Sequence, residues 1–389
     1  MKVDALTPRL DLGRAGTYAT QAGGHRAFLP KPLPPDPPLA MNESLLALLS
    51  AADRELGRLD GAIQIFPNPD LFVLMFVRRE AVLSSQIEGT QSSLRDLLEA
   101  EARVHDPKRP ADVAEVSNYV AALSGGMAAL ESRPVTIDLL LDLHERLMRG
   151  GPGSELHPGH LRTDQVWIGP ADATRQQATF VPPPPDRVAG AFAELERYIR
   201  AEDATPSLVR AGLAHAQFET IHPFFDGNGR MGRLLVILVL CEQGTLGKPV
   251  LYLSHFFKMH RSRYYAALQA VRDEGDWEGW MEFFLAGVVQ VAHESSETAR
   301  RIVALREDVR EHLLHGLGRA ARNALRLHEQ LFRTPILSVS AAAQSLGITY
   351  GAANRVVGTL VREGVLEERT GHARNRRFAY QRYIDLFAD

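Results

Sequence analysis

A histidine, an aspartate, an asparagine between two glycines, and two arginines fall within the run His222-Pro223-Phe224-Phe225-Asp226-Gly227-Asn228-Gly229-Arg230-Met231-Gly232-Arg233. An imidazole titrates near neutrality and can take a proton from an attacking hydroxyl. A carboxylate is the ligand a hard Mg²⁺ takes when it shares a phosphate with the protein. Gly227 and Gly229 lack a Cβ, so their backbone can come close to phosphate oxygens. Arg230 and Arg233, three apart, are expected to share a helix face and present planar forks to phosphate. The combined chemistry is phosphoryl or nucleotidyl transfer, by positioning and charge stabilisation with one general base. No Gly-Lys-Ser/Thr follows, so this is not a P-loop. Taken singly, His-Pro, Asp-Gly and Asn-Gly are ordinary turn chemistry, and two arginines are an ordinary solvated face. Burying both arginines at the head of an apolar helix would be costly without partners, and the conjunction points to a site.

The flanking residues must position these groups. Leu208, Ala211, Ala214 or His215, and Phe218 recur at helical spacing, which predicts a helix over 207–221. Pro223 should end it, because the residue before a proline is pushed out of the helical region. Leu234 to Cys241 is apolar all round and reads as a helix buried on every side, starting near Asn228 or Gly229. The free N–H groups and positive dipole end at such a start bind anions.

The run resembles the signature of the Fic (filamentation induced by cAMP) family, His-x-Phe-x-Asp/Glu-Gly-Asn-Gly-Arg-x-x-Arg, at every defined position. The resemblance implies a mainly α fold, a Fic-type helical core that transfers AMP from Mg·ATP to a hydroxyl of a target protein. It implies His222 as general base and Asp226 as Mg²⁺ ligand. It implies Gly227, Asn228 and Gly229 as the anion hole for the α- and β-phosphates, and Arg230 and Arg233 as contacts to the β- and γ-phosphates. Phe224 would anchor the loop in the core. Ser84-Ser85-Gln86-Ile87-Glu88-Gly89 is similar to the family's inhibitory motif Ser/Thr-x-x-x-Glu-Gly/Asn. This implies that Glu88 pairs with Arg233 and blocks the γ-phosphate position. From the residues alone, a glutamate near a helix C-terminus reads as a mildly unfavourable surface charge.

Composition bounds the rest. The 389 residues, 45% hydrophobic and 23% charged, suit a globular chain of two or three domains, and a formal charge of -3 gives no global nucleic-acid footprint. A single cysteine, Cys241, excludes an internal disulfide and suits a reducing compartment. The N-terminus lacks the apolar core of a signal peptide, and the longest apolar run is far short of the roughly 20 residues a membrane span needs. A soluble, cytoplasmic protein is expected, with no membrane partner.

In chain order, 1–41 is Gly- and Pro-rich and reads as an extended arm lying on the body. Helices are predicted from Asn42 to about Leu59, from after Pro69-Asp70 to Glu88-Gly89, and over 90–103, 113–130, 137–148 and 187–201, with a loop at 105–110. His144 reads as a packed or solvated histidine. Short β-type runs at 165–169 and 178–181 read as a surface hairpin packing Trp167; the resemblance makes it the flap that aligns the target by strand addition. Tyr264, Tyr265, Trp277 and Trp280 read as core, although a tyrosine can stack on adenine. One long helix or a broken pair is predicted from Trp280 to about Arg333, with Arg300, Arg301, Arg306 and Arg310 on its solvated face. The end of the chain resembles a winged helix-turn-helix, with Arg369, His372, Arg374, Arg376 and Arg377 in its wing. The expected organisation is an N-terminal arm with regulatory helices over 1–110, a Fic catalytic core over 111–290, a helical linker over 291–333 and the winged-helix domain over 334–389.

The function expected is protein adenylylation of a Ser, Thr or Tyr hydroxyl, restrained by Glu88. Removal of AMP or transfer of another phosphate-containing group by the same site is one alternative, and a nucleotide-sensing DNA-binding regulator is another. Expected partners are a target protein on the flap, the protein itself among the candidates, DNA through the winged helix, and a second copy in a homodimer.

Overall fold

The computed structural model describes residues 13–387 apart from 22, 23, 65, 67, 104–109, 171–173, 318–320 and 372–374. The expected loop at 105–110 thus falls almost entirely outside the described residues, as do His372 and Arg374 of the expected wing.

The N-terminal segment is more structured than its composition suggests. Strands β1 (Gly16–Thr20) and β2 (Arg26–Pro30) form an antiparallel hairpin in which Tyr18 pairs with Phe28. The arm is fastened to the body as expected: Arg14 donates to the carbonyls of Pro37 at 2.7 Å and Pro38 at 2.8 Å, and forms an ion pair with Glu278 at 2.6 Å.

Helices α1 (Glu43–Gln64) and α2 (Pro69–Ile87) follow, then α3 (Leu94–Glu101), α4 (Val113–Leu130), α5 (Ile137–Leu147) and α6 (Pro185–Ile199). Ser93 and Asp96 make a reciprocal capping box that starts α3 four residues later than expected. The long run near the end is a broken pair, α11 (Trp277–Leu317) and α12 (Ala321–Leu331), preceded by α7 (Ser207–Ile221), α8 (Asn228–Glu242), α9 (Ser254–Met259) and α10 (Arg261–Glu274). Ala40 donates to Glu278 and Glu55 lies 3.5 Å from His293, so α1 runs along α11 in the same direction. Arg306 departs from the expected solvated face, because its guanidinium, 12% exposed, turns inward to Glu307 and Glu329.

Helices α7 and α8 form the centre. Every residue of α7 after Ser207 is buried, and so is nearly every residue of α8. Such all-round burial explains why neither shows a strong one-sided apolar stripe.

The last segment holds β3 (Ile336–Ser338), α13 (Val339–Leu346), α14 (Tyr350–Arg362), β4 (Glu367–Glu368), β5 (Arg377–Ala379) and α15 (Gln381–Ile384). Ser338 and Thr349 cap α13 and α14 with their side chains. The three strands form an antiparallel sheet in the order β3-β5-β4. The end of α12 and this segment pack on α2: Phe72 meets Phe332 at 4.7 Å and Arg78 donates to the Arg333 carbonyl at 2.9 Å just after α12, and Phe76 meets Phe387 at 5.2 Å. Arg377, expected in a basic wing, donates instead to the carbonyls of Ala102 and Arg103 at the end of α3. Among the described residues no helix is long and apolar enough to cross a membrane.

Candidate active site

The turn between α7 and α8 is built by its own side chains. His222 caps α7 in a left-handed conformation, φ 50° and ψ 62°, and Gly227 caps α8 with φ 75°. Asn228 brackets the loop: its Oδ1 accepts from Phe224 N–H at 2.9 Å and its Nδ2 donates to the Phe224 carbonyl at 2.8 Å. The Asn228 side chain is therefore committed to the loop, and its backbone N–H is the group it has for the expected anion hole. Phe224 is fully buried, as an anchor must be.

His144 of α5 supports this turn from below. Its ring stacks on Phe224 at 3.7 Å, its Nε2 lies 3.0 Å from the Asp226 carbonyl, and Gly159 N–H donates to its Nδ1 at 2.9 Å. A ring that accepts at Nδ1 and donates at Nε2 is neutral, and burial pushes its pKa down to about 4. The histidine is packed, and its packing holds the loop that leads into α8. A Cβ on Gly227 would stand 2.8 Å from Met148 Sδ, and one on Gly229 would collide with the Glu88 carboxylate. Gly227 is favoured by space and by its φ of 75°, Gly229 by space alone.

The turn opens onto a cavity of about 590 Å³, lined among others by Glu88, Glu219, His222, Gly229, Arg233, Tyr264 and Tyr265. The His222 imidazole is half-buried, and its Nδ1 has no hydrogen-bond partner. Burial, helped by the guanidiniums of Arg162 and Arg272, pushes its pKa down to about 3, so the ring is neutral at pH 7. Asp226 is exposed and, like Gly227 and Asn228, is not among the residues lining the cavity; its Oδ1 accepts from Gly227 N–H at 2.6 Å.

Arg233 and Glu88 meet as the inhibitory resemblance implies. Arg233 donates to Glu88 Oε1 at 2.6 Å, to Ser84 Oγ at 2.8 Å and to the Ser84 carbonyl at 3.0 Å. Burial alone would lower the Arg233 pKa, but Glu88, with Tyr264 and Glu219, holds it raised. Glu88 caps α2, and Gly89 beyond it takes φ 108°. Arg230 differs from expectation. It points to Glu115 Oε2 at 3.1 Å and to Met148, and it is absent from the residues lining the cavity. Three residues along a helix leave side chains about 60° apart, enough to send Arg230 toward α4 and Arg233 toward α2.

Sequence reasoning missed three neighbours. Glu219, one turn before His222, lines the cavity with an unpartnered Oε1, and burial pushes its pKa up to about 7. Arg272 lies 3.8 Å over the Phe180 ring and donates to Thr220 Oγ1 at 3.2 Å. Arg162 bonds the His222 carbonyl at 2.8 Å. Nothing local marks these residues, because their partners lie elsewhere in the chain.

The expected hairpin is reduced to one antiparallel bridge, Ile168 with Phe180, bonded at 2.8 and 3.0 Å, with 171–173 outside the described residues. Its second segment also meets β2, where Phe28 N–H donates to the Val181 carbonyl at 2.9 Å. Trp167 is 40% exposed, with Arg175 over its ring, so it does not pack inward as a surface hairpin would have it.

Comparison with known proteins agrees with this geometry. The Fic/DOC family N-terminal description matches residues 46–128, and the Fic/DOC family description matches residues 134–240. A protein adenylyltransferase Fic of Drosophila ananassae is 32% identical over 203 residues, covering 51% of this chain and 37% of that protein. A probable protein adenylyltransferase of Aquifex aeolicus is 29% identical over 181 residues, covering 45% and 51%. The chain thus spans about a third to a half of the curated relatives it matches. The crystal structure of a Fic family protein from Desulfovibrio desulfuricans G20 superposes with a TM-score of 0.58 at 21% identity, covering 88% of this chain and 97% of that one. The twelve-residue signature lies inside the matched stretch 134–240, so the chain carries a Fic/DOC family N-terminal region over 46–128 and a Fic/DOC family region over 134–240, and its fold is that of a Fic family protein.

Proposed function

We propose that this protein is an adenylyltransferase that moves AMP from ATP to a hydroxyl of a target protein, and that Glu88 restrains it. The observation that carries the reading is the conjunction, in one cavity, of a neutral imidazole, a glycine-flanked helix N-terminus and a buried arginine held by a carboxylate.

In this reading a target hydroxyl is aligned beside the Ile168–Phe180 segment, whose outer residues offer a place for strand addition. His222 takes the hydroxyl proton as the oxygen attacks the α-phosphorus. The new O–P bond forms as the bond to the bridging oxygen of pyrophosphate breaks, and pyrophosphate leaves. The N–H groups at the start of α8 and its dipole stabilise the charge that develops on the phosphates. Arg233 serves the terminal phosphate once Glu88 withdraws. Tyr265, 42% exposed on the cavity wall, has ring surface left for an adenine, whereas the Tyr264 hydroxyl is already engaged with His215 at 2.8 Å.

The donor set fits Mg²⁺. Mg²⁺ takes one carboxylate and completes its shell with phosphate and water. Asp226, exposed at the mouth of the anion-binding turn, would hold it. The ion would neutralise phosphate charge.

The homodimer and the target remain part of the proposal, with the protein itself among the candidate targets. The β3-α13-α14-β4-β5 order supports the winged-helix reading of the C-terminal segment. The engagement of Arg377 by α3 favours protein docking over DNA for that segment.

The deciding experiment is covalent label transfer by the Glu88→Gly variant, with ATP labelled at the α- or the γ-phosphate and His222→Ala as control. Incorporation of α-label alone establishes adenylylation. Label from the γ-position makes the protein a kinase-like transferase, and none from either favours removal of AMP.

A further inference from the structure

Arg162 sits between the body and the flap and is 2% exposed. Its Nε donates to the His222 carbonyl at 2.8 Å, and its Nη2 donates to the carbonyls of Pro183 at 2.5 Å and Ile221 at 3.4 Å. Its Nη1 donates to the Asp164 carbonyl at 3.1 Å, and its own backbone N–H donates to the Pro223 carbonyl at 3.0 Å. Every acceptor is a main-chain carbonyl. They come from three stretches: the entry to the flap at Asp164, its exit at Pro183, and the turn at 221–223 that carries His222. A planar fork of five donors can join three strands of backbone in this way, and an ammonium cannot.

The turn needs such support. His222 holds φ 50°, a conformation that side chains other than glycine rarely adopt. Its imidazole Nδ1 makes no close hydrogen bond, and the main chain of Glu219, one turn back, is the polar group beside the ring, so the ring's direction is set largely from the backbone. We propose that Arg162 is the positioning residue of this site, holding the left-handed backbone of His222 and fixing it to both ends of the flap, so that the base and the segment that aligns the target are one rigid unit. This rests on the reading of His222 as the base. It adds that the base is registered to the bound target through a single buried cation, which touches neither nucleotide nor hydroxyl. The charged or titratable groups facing His222 are Arg162 and Arg272, with Glu219 one turn back on α7.

The test uses the full chain carrying Glu88→Gly, with Arg162→Ala and Arg162→Lys added separately. ATP affinity should stay within about twofold, because the phosphate contacts lie on α8. The rate constant for transfer should fall about 100-fold in Arg162→Ala, the scale of a misplacement of about 1 Å. Arg162→Lys keeps the charge but not the fork, so it should stay slow. The His222 titration, followed by ¹⁵N NMR, should move up in Arg162→Ala and stay near the parent value in Arg162→Lys, a split that general loosening would not produce. A folded Arg162→Ala protein that transfers at the parent rate overturns the proposal. Joint loss of rate and ATP affinity with an unmoved His222 titration also overturns it. Should Arg162→Ala fail to fold, Arg162→Lys decides: slow transfer at parental ATP affinity supports the clamp, and parental transfer refutes it. If the parent itself transfers no label, adenylylation fails as a reading, and the NMR titrations still judge the clamp.

Discussion

Replacing Glu88 by glycine should raise transfer about 5- to 30-fold below nucleotide saturation and make the nucleotide-free protein less stable. The magnitude follows from the pair itself. Arg233 is 2% and Glu88 37% exposed at the side chain, and they meet at 2.6 Å. A charge-assisted hydrogen bond contributes about 1.5–3 kcal/mol, and partial exposure of the carboxylate brings this to about 1–2 kcal/mol. An equilibrium tipped by that amount changes the population of free Arg233 by about 5- to 30-fold. The same change leaves a buried cation without its counter-ion, partly compensated by the two bonds to Ser84. The variant should therefore melt earlier than the parent alone and gain more from Mg·ATP, whose terminal phosphate takes the vacated place. The assay is incorporation of α-label across a range of Mg·ATP concentrations, with thermal melts with and without nucleotide. Equal rates for variant and parent at every concentration, with equal melts, would refute the inhibitory reading.

His222→Ala should abolish transfer while ATP still binds, since the proposed phosphate contacts lie on α8; transfer at the parent rate removes His222 as the base. Asp226→Ala should raise the Mg²⁺ concentration needed for half-maximal transfer, and an unchanged metal titration counts against its role as ligand. Stability should fall on acidification from pH 6.5 to 5. Burial holds His144 down to about 4 and His215, His222 and His328 to about 3, so the unfolded chain binds more protons there. Burial raises Glu80 and Glu219 to about 7, which works in the opposite direction and cancels two of those four protons. The two left give roughly 3 kcal/mol per pH unit near pH 5.5, and a urea midpoint that holds or rises between pH 6.5 and 5 contradicts this.

What could be read from the chain depended on how local the signal was. The end of α7 and the start of α8 agree with expectation because Pro223, Gly227 and Gly229 punctuate the chain there, and α4 runs from Val113 to Leu130 as its pattern predicts. The β1–β2 hairpin and β3 escaped notice because they are short and sit among Gly and Pro residues. The flap is thinner than its β-type composition suggests, since a single bridge suffices once β2 and Arg272 support it. The proximity of Glu88 to Arg233, 145 positions apart, came from the family resemblance and not from any local pattern. Arg162, Glu219 and Arg272 act on partners brought near only by folding. Arg230 shows the converse, where a correct helical register still did not say which neighbour its side chain would choose.

The contacts between α2 and the C-terminal segment bear on how the molecule comes apart. Phe72 and Phe76 share ring contacts with Phe332 and Phe387, and the apolar interior runs without a break from the first helices to the last residues described. A shared interior couples the first helices to the last, so the two ends of the described chain should lose their packing together. Cutting the protein at residue 333 would leave Phe76 of α2 without Phe387, and Phe332, which packs on Phe72, without Tyr380 and Tyr383, on the helix that Glu88 caps. The shortened protein should be sticky and less firmly restrained, and the intact one should show a single melting transition.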